Sequence, residues 1–346
     1  KGPGDGGVNR RRKGLGERSV CYPSPMPDLS PFLPTALERT DFDFLGKKVE
    51  GKVRDVYVPN DRERILVATD RQSAFDINWC TIPLKGQVLN QLSAWWFERV
   101  ADILPTQVLA VPDPNVTVAR NLRILPVEIV VRAYLTGSTK TSAWVNYAKG
   151  VRNFCGNLLP EGMVKNEKFD HPILTPTTKG EDDELTDARR IVAEGLATQA
   201  QWDEIAAKAL ALFKRGQETA AARGLILVDT KYEMGYDAEG KLTIADEVHT
   251  PDSSRYWVAA TYGERHAKGE EPESLDKEFF RLWMREQGFE YGKKDTWPRI
   301  TDEVRLMLAE KYVSLYERMT GEAFVLPEET DVTGRIERNM RRYVGR

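Results

Sequence analysis

Asp229, Lys231 and Glu233 stand at alternate positions in residues 225–257, LILVDTKYEMGYDAEGKLTIADEVHTPDSSRYW. In an extended chain alternate side chains share a face, so these polar groups continue the face begun by Leu225 and Leu227, which turns from apolar to charged in mid-strand. The turn residues Asp237-Ala238-Glu239-Gly240 predict a hairpin whose return strand brings Asp246 opposite or diagonal to Glu233 and Lys231. Two carboxylates beside an ammonium suit a metal-bound nucleotide: oxygen ligands for a hard cation and positive charge for phosphate. The alternative on this stretch alone is a solvated hairpin end with surface ion pairs.

Three other clusters carry the same kind of chemistry. In residues 49–58 Gly51 allows close backbone approach, and Lys52 and Arg54 project from one face of an expected strand, a pairing that suits polyphosphate. Asp70-Arg71-Gln72-Ser73-Ala74-Phe75-Asp76 reads as a polar loop leaving the apolar strand 64–69, a common place for ligand contacts. Arg132 ends a strand in which Val127, Ile129 and Val131 face one side and Glu128, Val130 and Arg132 the other. With Thr136, Gly137, Ser138 and Thr139 just beyond, it forms a plausible phosphate cradle.

The elements that must hold these groups are readable from periodicity. Leu89, Leu92, Trp96, Val100 and Ile103 mark an amphipathic helix, with Trp95, Trp96 and Phe97 as core or interlobe packing. Trp202, Ile205, Ala206, Ala209 and Phe213 mark a long helix from about Thr198 to Arg223, ended by Gly224. Phe279, Leu282 and Trp283 define a shorter helix. Val304, Leu308, Tyr312, Leu315 and Met319 define another, started by Thr301 or Asp302 and stopped by Gly321. Arg335, Arg338, Arg341 and Arg342, at helical steps, read as a solvated face. The acidic run 181–184 reads as a solvated loop.

The totals set limits. At 346 residues, 41% hydrophobic and 30% charged, the chain is an ordinary soluble globular protein with room for two packed lobes. A net charge of −3 argues against a nucleic-acid partner, and no apolar run reaches a membrane span. Cys21, Cys80 and Cys155 show no CxxC spacing, so a reducing compartment without disulfides or zinc is expected. His171, His249 and His266 are too scattered for a metal site. Residues 1–36, rich in Gly and Pro with the basic cluster 10–13, read as a flexible tail, with folded structure starting near Phe42. Lacking an apolar h-region, the arm does not read as a secretory signal; a solvated tail or remnant is expected, with the end of an organellar transit segment as the alternative.

Together the blocks GKVRDVY (51–57), TDRQSAFD (69–76), KGQVLNQ (85–91), LPVEIVVRAYLTGS (125–138), LTPTTK (174–179), LVDTKYEMG (227–235) and DEVHTPDSSRYW (246–257) resemble the SAICAR synthetase family of purine biosynthesis. The resemblance rests on their number and order. It implies an α+β fold of two lobes, an N-terminal antiparallel β lobe (37–126) and a larger C-terminal α+β lobe (127–346), with ATP between them. It also implies ligation of the imidazole nucleotide CAIR to L-aspartate, with ATP going to ADP and phosphate through an acyl phosphate and Mg²⁺ as cofactor. Lys52 and Arg54 would lie in the loop over the ATP phosphates, Glu233 and Asp246 would hold Mg²⁺, and backbone around Leu125 and Val127 would meet the adenine edge. Arg132, Ser138 and Arg255 would clamp the CAIR phosphate, Asp229 and Lys231 would sit at its carboxylate, and Ser73, Ala74 and Asp76 belong to a substrate-binding block. Met234 replaces an expected Phe as a similar apolar filler. Segments 145–170 and 180–223 exceed compact members of the family. The expected protein is a cytoplasmic monomer or small homo-oligomer, or a chloroplast or other organellar one if the basic arm is a transit remnant. A small-molecule phosphotransferase is the alternative activity.

Overall fold

The computed structural model describes residues 26–180 and 183–345 and shows an α+β protein built on antiparallel sheets. The basic cluster 10–13, Cys21 and half of the acidic run 181–184 lie outside the described residues.

The first lobe opens with β1 (Lys47–Glu50), β2 (Arg54–Val58) and β3 (Glu63–Ala68). Residues 49–58 are therefore not one strand. Gly51 N–H donates to the Arg54 carbonyl at 2.8 Å, turning the chain between β1 and β2. Next, β4 (Arg71–Ala74) and β5 (Ile77–Thr81) form a hairpin where a loop was expected, with Phe75 and Asp76 as its two turn residues at φ 50° and 61°. Two consecutive positive φ values suit a tight hairpin, but neither residue is the usual Asn or Gly, which hid the turn. Then follow α1 (Lys85–Val100), β6 (Val108–Asp113) and β7 (Val116–Arg120), completing a sheet of order β1-β2-β3-β7-β6.

The second lobe contains β8 (Arg123–Ile124), β9 (Val127–Tyr134), α2 (Ala143–Ala148), the short hairpin β10 (Asn153–Phe154) and β11 (Asn157–Leu158), β12 (Lys168–Leu174) and β13 (Thr177–Thr178). After α3 (Ala188–Ala193), α4 (Gln199–Ala221) starts at a capping box in which Thr198 and Gln201 satisfy each other's backbone N–H groups. Next come β14 (Leu225–Tyr236), β15 (Leu242–Ala245), β16 (Ser254–Val258), α5 (Ala259–Ala267), α6 (Glu278–Glu286), α7 (Asp302–Thr320) and α8 (Val332–Val344). The central run of the large sheet is β12-β9-β14-β15, with β16 and β8 also on β14 and β13 on β9.

Its core gathers Val127, Ile129 and Val131 of β9, Trp202, Ile205, Ala209 and Phe213 of α4, and Leu92, Trp96 and Val100 of α1. Thus α1 carries its apolar stripe from the small lobe into the core of the large one, and α7 buries the expected stripe. Burial of each such side chain contributes roughly 1.5–3 kcal/mol.

Four further details differ from the sequence reading. A bulge between Leu227 and Asp229 shifts the pairing of β14 with β16 by one residue. Leu225 and Leu227 are buried in the core, and beyond the bulge the core positions are Val228, Tyr232 and Met234. The charged set Asp229, Lys231 and Glu233 therefore does not continue the leucine face; the extra residue exchanges the faces. In α6 the fully buried residues are Phe280 and Met284, while Phe279 and Trp283 are half-buried. Leu29 and Phe32, in the expected loose arm, are buried against α6 and α7. Finally, α8 returns to the first lobe, where Val332, Ile336 and Met340 complete a core with Leu45, Tyr57, Val67 and Val118. Arg335 is not solvated: it donates to Asp113 at 3.1 Å and to Asn115 at 2.6 Å.

Candidate active site

Because β9 and β14 are antiparallel, Asp229 pairs with Arg132 and Lys231 with Val130. Alternation then sets Glu128 and Arg132 beside Asp229, Lys231 and Glu233. A cleft of about 430 Å³ opens over this strip, walled by β9, β14, the β4–β5 turn, the 139–141 loop and the start of α6.

One end gathers guanidinium groups. Arg132 Nη1 and Arg255 Nη1 both donate to Asp229 Oδ2, at 3.0 and 2.5 Å. Arg132 Nε also reaches Thr175 Oγ1 at 2.8 Å. Arg255 Nη2 and Arg281 Nη1 meet Glu278 Oε2 at 3.2 and 2.9 Å. Burial disfavours the Glu278 carboxylate, but Arg255 and Arg281 outweigh it and hold its pKa at about 2. Burial likewise opposes the charge on Arg255, yet Asp229 and Glu278 raise its pKa above the ordinary range. Arg132, Arg255 and Arg281 all line the cleft beside Asp229 and Asp276, and such clustered guanidiniums suit an anion with several oxygens such as a phosphate monoester.

The other end gathers carboxylates. Lys231 Nζ donates to Glu128 Oε1 at 2.6 Å and to Glu233 Oε1 at 3.2 Å, and Lys179 caps the second Glu233 oxygen. Arg54 binds Asp246 Oδ1 at 2.7 Å and Glu247 Oε2 at 2.9 Å. Burial would lower the Lys231 ammonium, but Glu233, Glu128 and Asp246 raise it well above its ordinary value. Asp246 is pushed up to about 6, by burial first and then, against Arg54, by Glu233 and Glu247. It leaves β15 at φ 59°, a left-handed conformation that Asp tolerates better than most residues. Four carboxylates (Glu128, Glu233, Asp246, Glu247) face three cations (Lys231, Lys179, Arg54), an imbalance that a divalent cation would offset. Among the described residues no three His, Cys, Asp or Glu side chains form a ready-made cage. An ion such as Mg²⁺ takes one or two carboxylates and completes its shell with phosphate and water, and Glu233 and Asp246 could supply those carboxylates.

Between the ends, Asp252 accepts from fully buried Lys85 at 2.9 Å and from Tyr312 at 2.8 Å, and lies 3.6 Å from Lys277. These partners overcome burial and keep Asp252 ionised well below the usual range. Lys277 is pushed down to about 8, chiefly by burial, and donates to Ser73 Oγ at 3.1 Å. At the mouth Lys52 bridges to Asp76 at 2.7 Å, the two side chains 65% and 59% exposed.

Lys52, Ser73, Ala74, Asp76, Arg132, Asp229, Lys231 and Arg255 all line this cleft. Glu233 adjoins it through its ion pair with Lys231, while Arg54 and Asp246 pair with each other behind that lining, Asp246 acting on Lys231 through its charge. Lys52 and Arg54 do not share a face: the turn between β1 and β2 sends one to Asp76 and the other to Asp246. Ser138 is buried, and its carbonyl accepts from Arg285. The side chains of Leu125 and Val127 belong to the core. Of the backbone there, Leu125 N–H donates to the Met234 carbonyl, and the Pro126 carbonyl accepts from Lys179 N–H at 3.0 Å. Sequence reasoning missed Glu128, Lys179, Asp252, Lys277, Glu278 and Arg281 as site residues. Period-two alternation from Arg132 would have found Glu128, and the four-residue step from Lys277 to Arg281 would have found that pair.

The SAICAR synthetase family model matches residues 47–297. The phosphoribosylaminoimidazole-succinocarboxamide synthase of Legionella pneumophila (strain Paris) is 50% identical over 315 residues, covering 90% of this chain and 100% of the relative. The chloroplastic enzyme of that name from Arabidopsis thaliana is 48% identical over 297 residues, covering 85% of this chain and 72% of the relative. Among solved structures, SAICAR synthase from Saccharomyces cerevisiae complexed with SAICAR superposes with TM-score 0.73 at 28% identity, over 84% of this chain and 100% of that one. A type-2 SAICAR synthetase in complex with ADP shares the fold, with TM-score 0.62 at 24% identity over 81% of this chain and 100% of that one. Most of the motifs that first suggested the resemblance contribute residues to one cleft, and similarity to named relatives over most of the chain accounts for the scaffold that holds them: the chain belongs to the SAICAR synthetase family.

Proposed function

We propose that this chain is an ATP-dependent ligase of purine biosynthesis that joins CAIR and L-aspartate to give SAICAR, ADP and phosphate. The observation that carries the proposal is the polarity of the β9–β14 strip, with an arginine cluster at one end, carboxylates at the other, and Asp229 and Lys231 between them. A carboxylate is a poor electrophile. In this reading a CAIR carboxylate oxygen attacks the γ-phosphorus of ATP, the bond to the bridging oxygen breaks, and ADP leaves. The aspartate amine then attacks the acyl carbon, phosphate departs with its bonding electrons, and the nitrogen loses a proton.

Arg132 and Arg255 would bind the CAIR 5′-phosphate, with Ser138 close by. That places the imidazole carboxylate toward Asp229 and Lys231. The Lys231 ammonium, held charged by its carboxylate neighbours, offsets negative charge on the transferring phosphoryl group. Lys52 lines the cleft from the first lobe and Arg54 lies behind it with Asp246; both would cover the triphosphate, while Ser73 and Asp76 would line the substrate side. Leu125 and Val127 would border the adenine. Glu233 and Asp246 would hold Mg²⁺, which when bound supplies Lewis-acid charge at the phosphates. The cytoplasm is the proposed location, and the chloroplastic Arabidopsis relative keeps an organellar one in view.

A coupled assay tests the reading. ADP and phosphate should appear only when CAIR and L-aspartate are present together, with an amide as product. A stable phosphorylated product formed without aspartate would instead establish a phosphotransferase.

A further inference from the structure

The segment 246–252 runs from the carboxylate end of the cleft to its middle, carrying Asp246 and Glu247 at its start and Asp252 at its finish. His249 stands midway, three residues from each aspartate. Its imidazole, which has no place in the chemistry above, is fully buried on the core side. Nε2 lies 2.5 Å from Tyr232 Oη on β14, and the His249 carbonyl accepts from Tyr256 Oη of β16 at 2.8 Å. The ring meets Trp96 of α1 edge-on, with centroids 4.5 Å apart. A Cβ at Gly216 would come within 2.6 Å of the ring's Cε1. Glycine is a poor residue for the interior of a helix, and the space this ring needs accounts for its presence in α4. The neighbouring Val248 N–H donates to Ser93 Oγ of α1 at 3.3 Å.

The segment also needs such a grip. Asp246 and His249 both have left-handed backbone, at φ 59° and 54°, a conformation that persists in non-glycine residues only where tertiary contacts enforce it. Building on the ligase reading, we propose that His249 is a positioning residue: seated in a socket made by Tyr232, Tyr256, Trp96 and Gly216, it sets Asp246 at the nucleotide end together with Asp252 in the middle of the cleft, where Asp252 holds the cleft-lining Lys277.

Four variants of the full chain test this: His249→Leu, His249→Gln, Tyr232→Phe and Gly216→Ala. Each is measured for KM toward ATP and CAIR, for kcat, and for Tm. His249→Leu should raise both KM values tenfold or more. Glutamine can place a polar atom where Nε2 sits and should return both to within threefold of wild type. Gly216→Ala, which crowds the ring at its Cε1–Nε2 edge, should raise both in the same direction. A merely structural role lowers Tm and the active fraction without moving KM, so His249→Leu with both KM values within twofold of wild type overturns the proposal. If that variant yields no folded protein, unchanged KM values in both Tyr232→Phe and Gly216→Ala overturn it instead. Wild-type protein that forms no amide from CAIR and aspartate refutes the ligase reading, and the positioning role falls with it.

Discussion

Arg255→Ala removes a guanidinium from between two buried carboxylates, and the structure sets the size of the effect. Asp229 keeps Arg132 and Glu278 keeps Arg281, so neither acid is left without a cation. Held at about 2 rather than its ordinary 4.5, Glu278 contributes about 3 kcal/mol to stability at neutral pH. A carboxylate with a lowered folded-state pKa gives that contribution in full above the unfolded value and loses it as pH falls through the folded one. Arg255 supplies a large part of that, so its loss costs on the order of 1–2 kcal/mol through Glu278. That lies below the usual cost of breaking a buried pair because both acids keep a second cation. CAIR should bind roughly 10–150-fold more weakly, as expected for a lost charged hydrogen bond of about 1.5–3 kcal/mol. Urea denaturation from pH 7.5 down to pH 3 reads the first effect, and the gap from wild type should narrow below pH 4.5. Calorimetric titration with CAIR reads the second. A variant that binds CAIR within threefold of wild type refutes the phosphate-clamp role, and a stability gap that ignores pH refutes the assigned ion network.

Asp246→Asn and Glu233→Gln should each lower Mg-dependent turnover by roughly 10²-fold or more, the scale for losing one charge-stabilising group, with an unchanged circular dichroism spectrum; wild-type kinetics in either variant removes the ligand assignment. Lys52→Ala breaks only an exposed pair and should change stability by less than about 1 kcal/mol, while KM for ATP rises several-fold; an unchanged KM would leave Lys52 a surface residue. Arg335→Ala strips the main cation from buried Asp113, which retains Asn339, and should cost about 3 kcal/mol in chemical denaturation without altering any KM; a shifted KM would tie α8 to the active site.

Much of the site was legible because alternation along a strand is a local property. Spacing alone grouped Asp229 with Lys231 and Arg132 with Glu128, though it set the first pair on the wrong side of the strand, and the Asp237–Gly240 turn set the pairing that brought Asp246 near Glu233. The bulge at Leu227–Asp229 was not legible, since an unpaired extra residue exists only relative to a partner strand. The β4–β5 hairpin was missed because Phe75 and Asp76 accept strained φ values without advertising a turn. Arg335 looked solvated because its partner Asp113 lies more than 200 residues away in sequence. Asp252, Lys277 and Glu278 draw their significance from Lys85, Arg255 and Tyr312, contacts that no local pattern announces.

The placement of α8 has a consequence for how the protein is made. The first lobe is translated early, yet Val332, Ile336 and Met340 are part of its core. Roughly 210 residues separate Val118 from Val332, about 10–40 s of synthesis at 5–20 residues per second. During that interval Tyr57, Val67 and Val118 have no native cover from α8. The lobe that leaves the ribosome first is therefore the last to close, and a chain stopped before residue 332 presents this apolar face to chaperones.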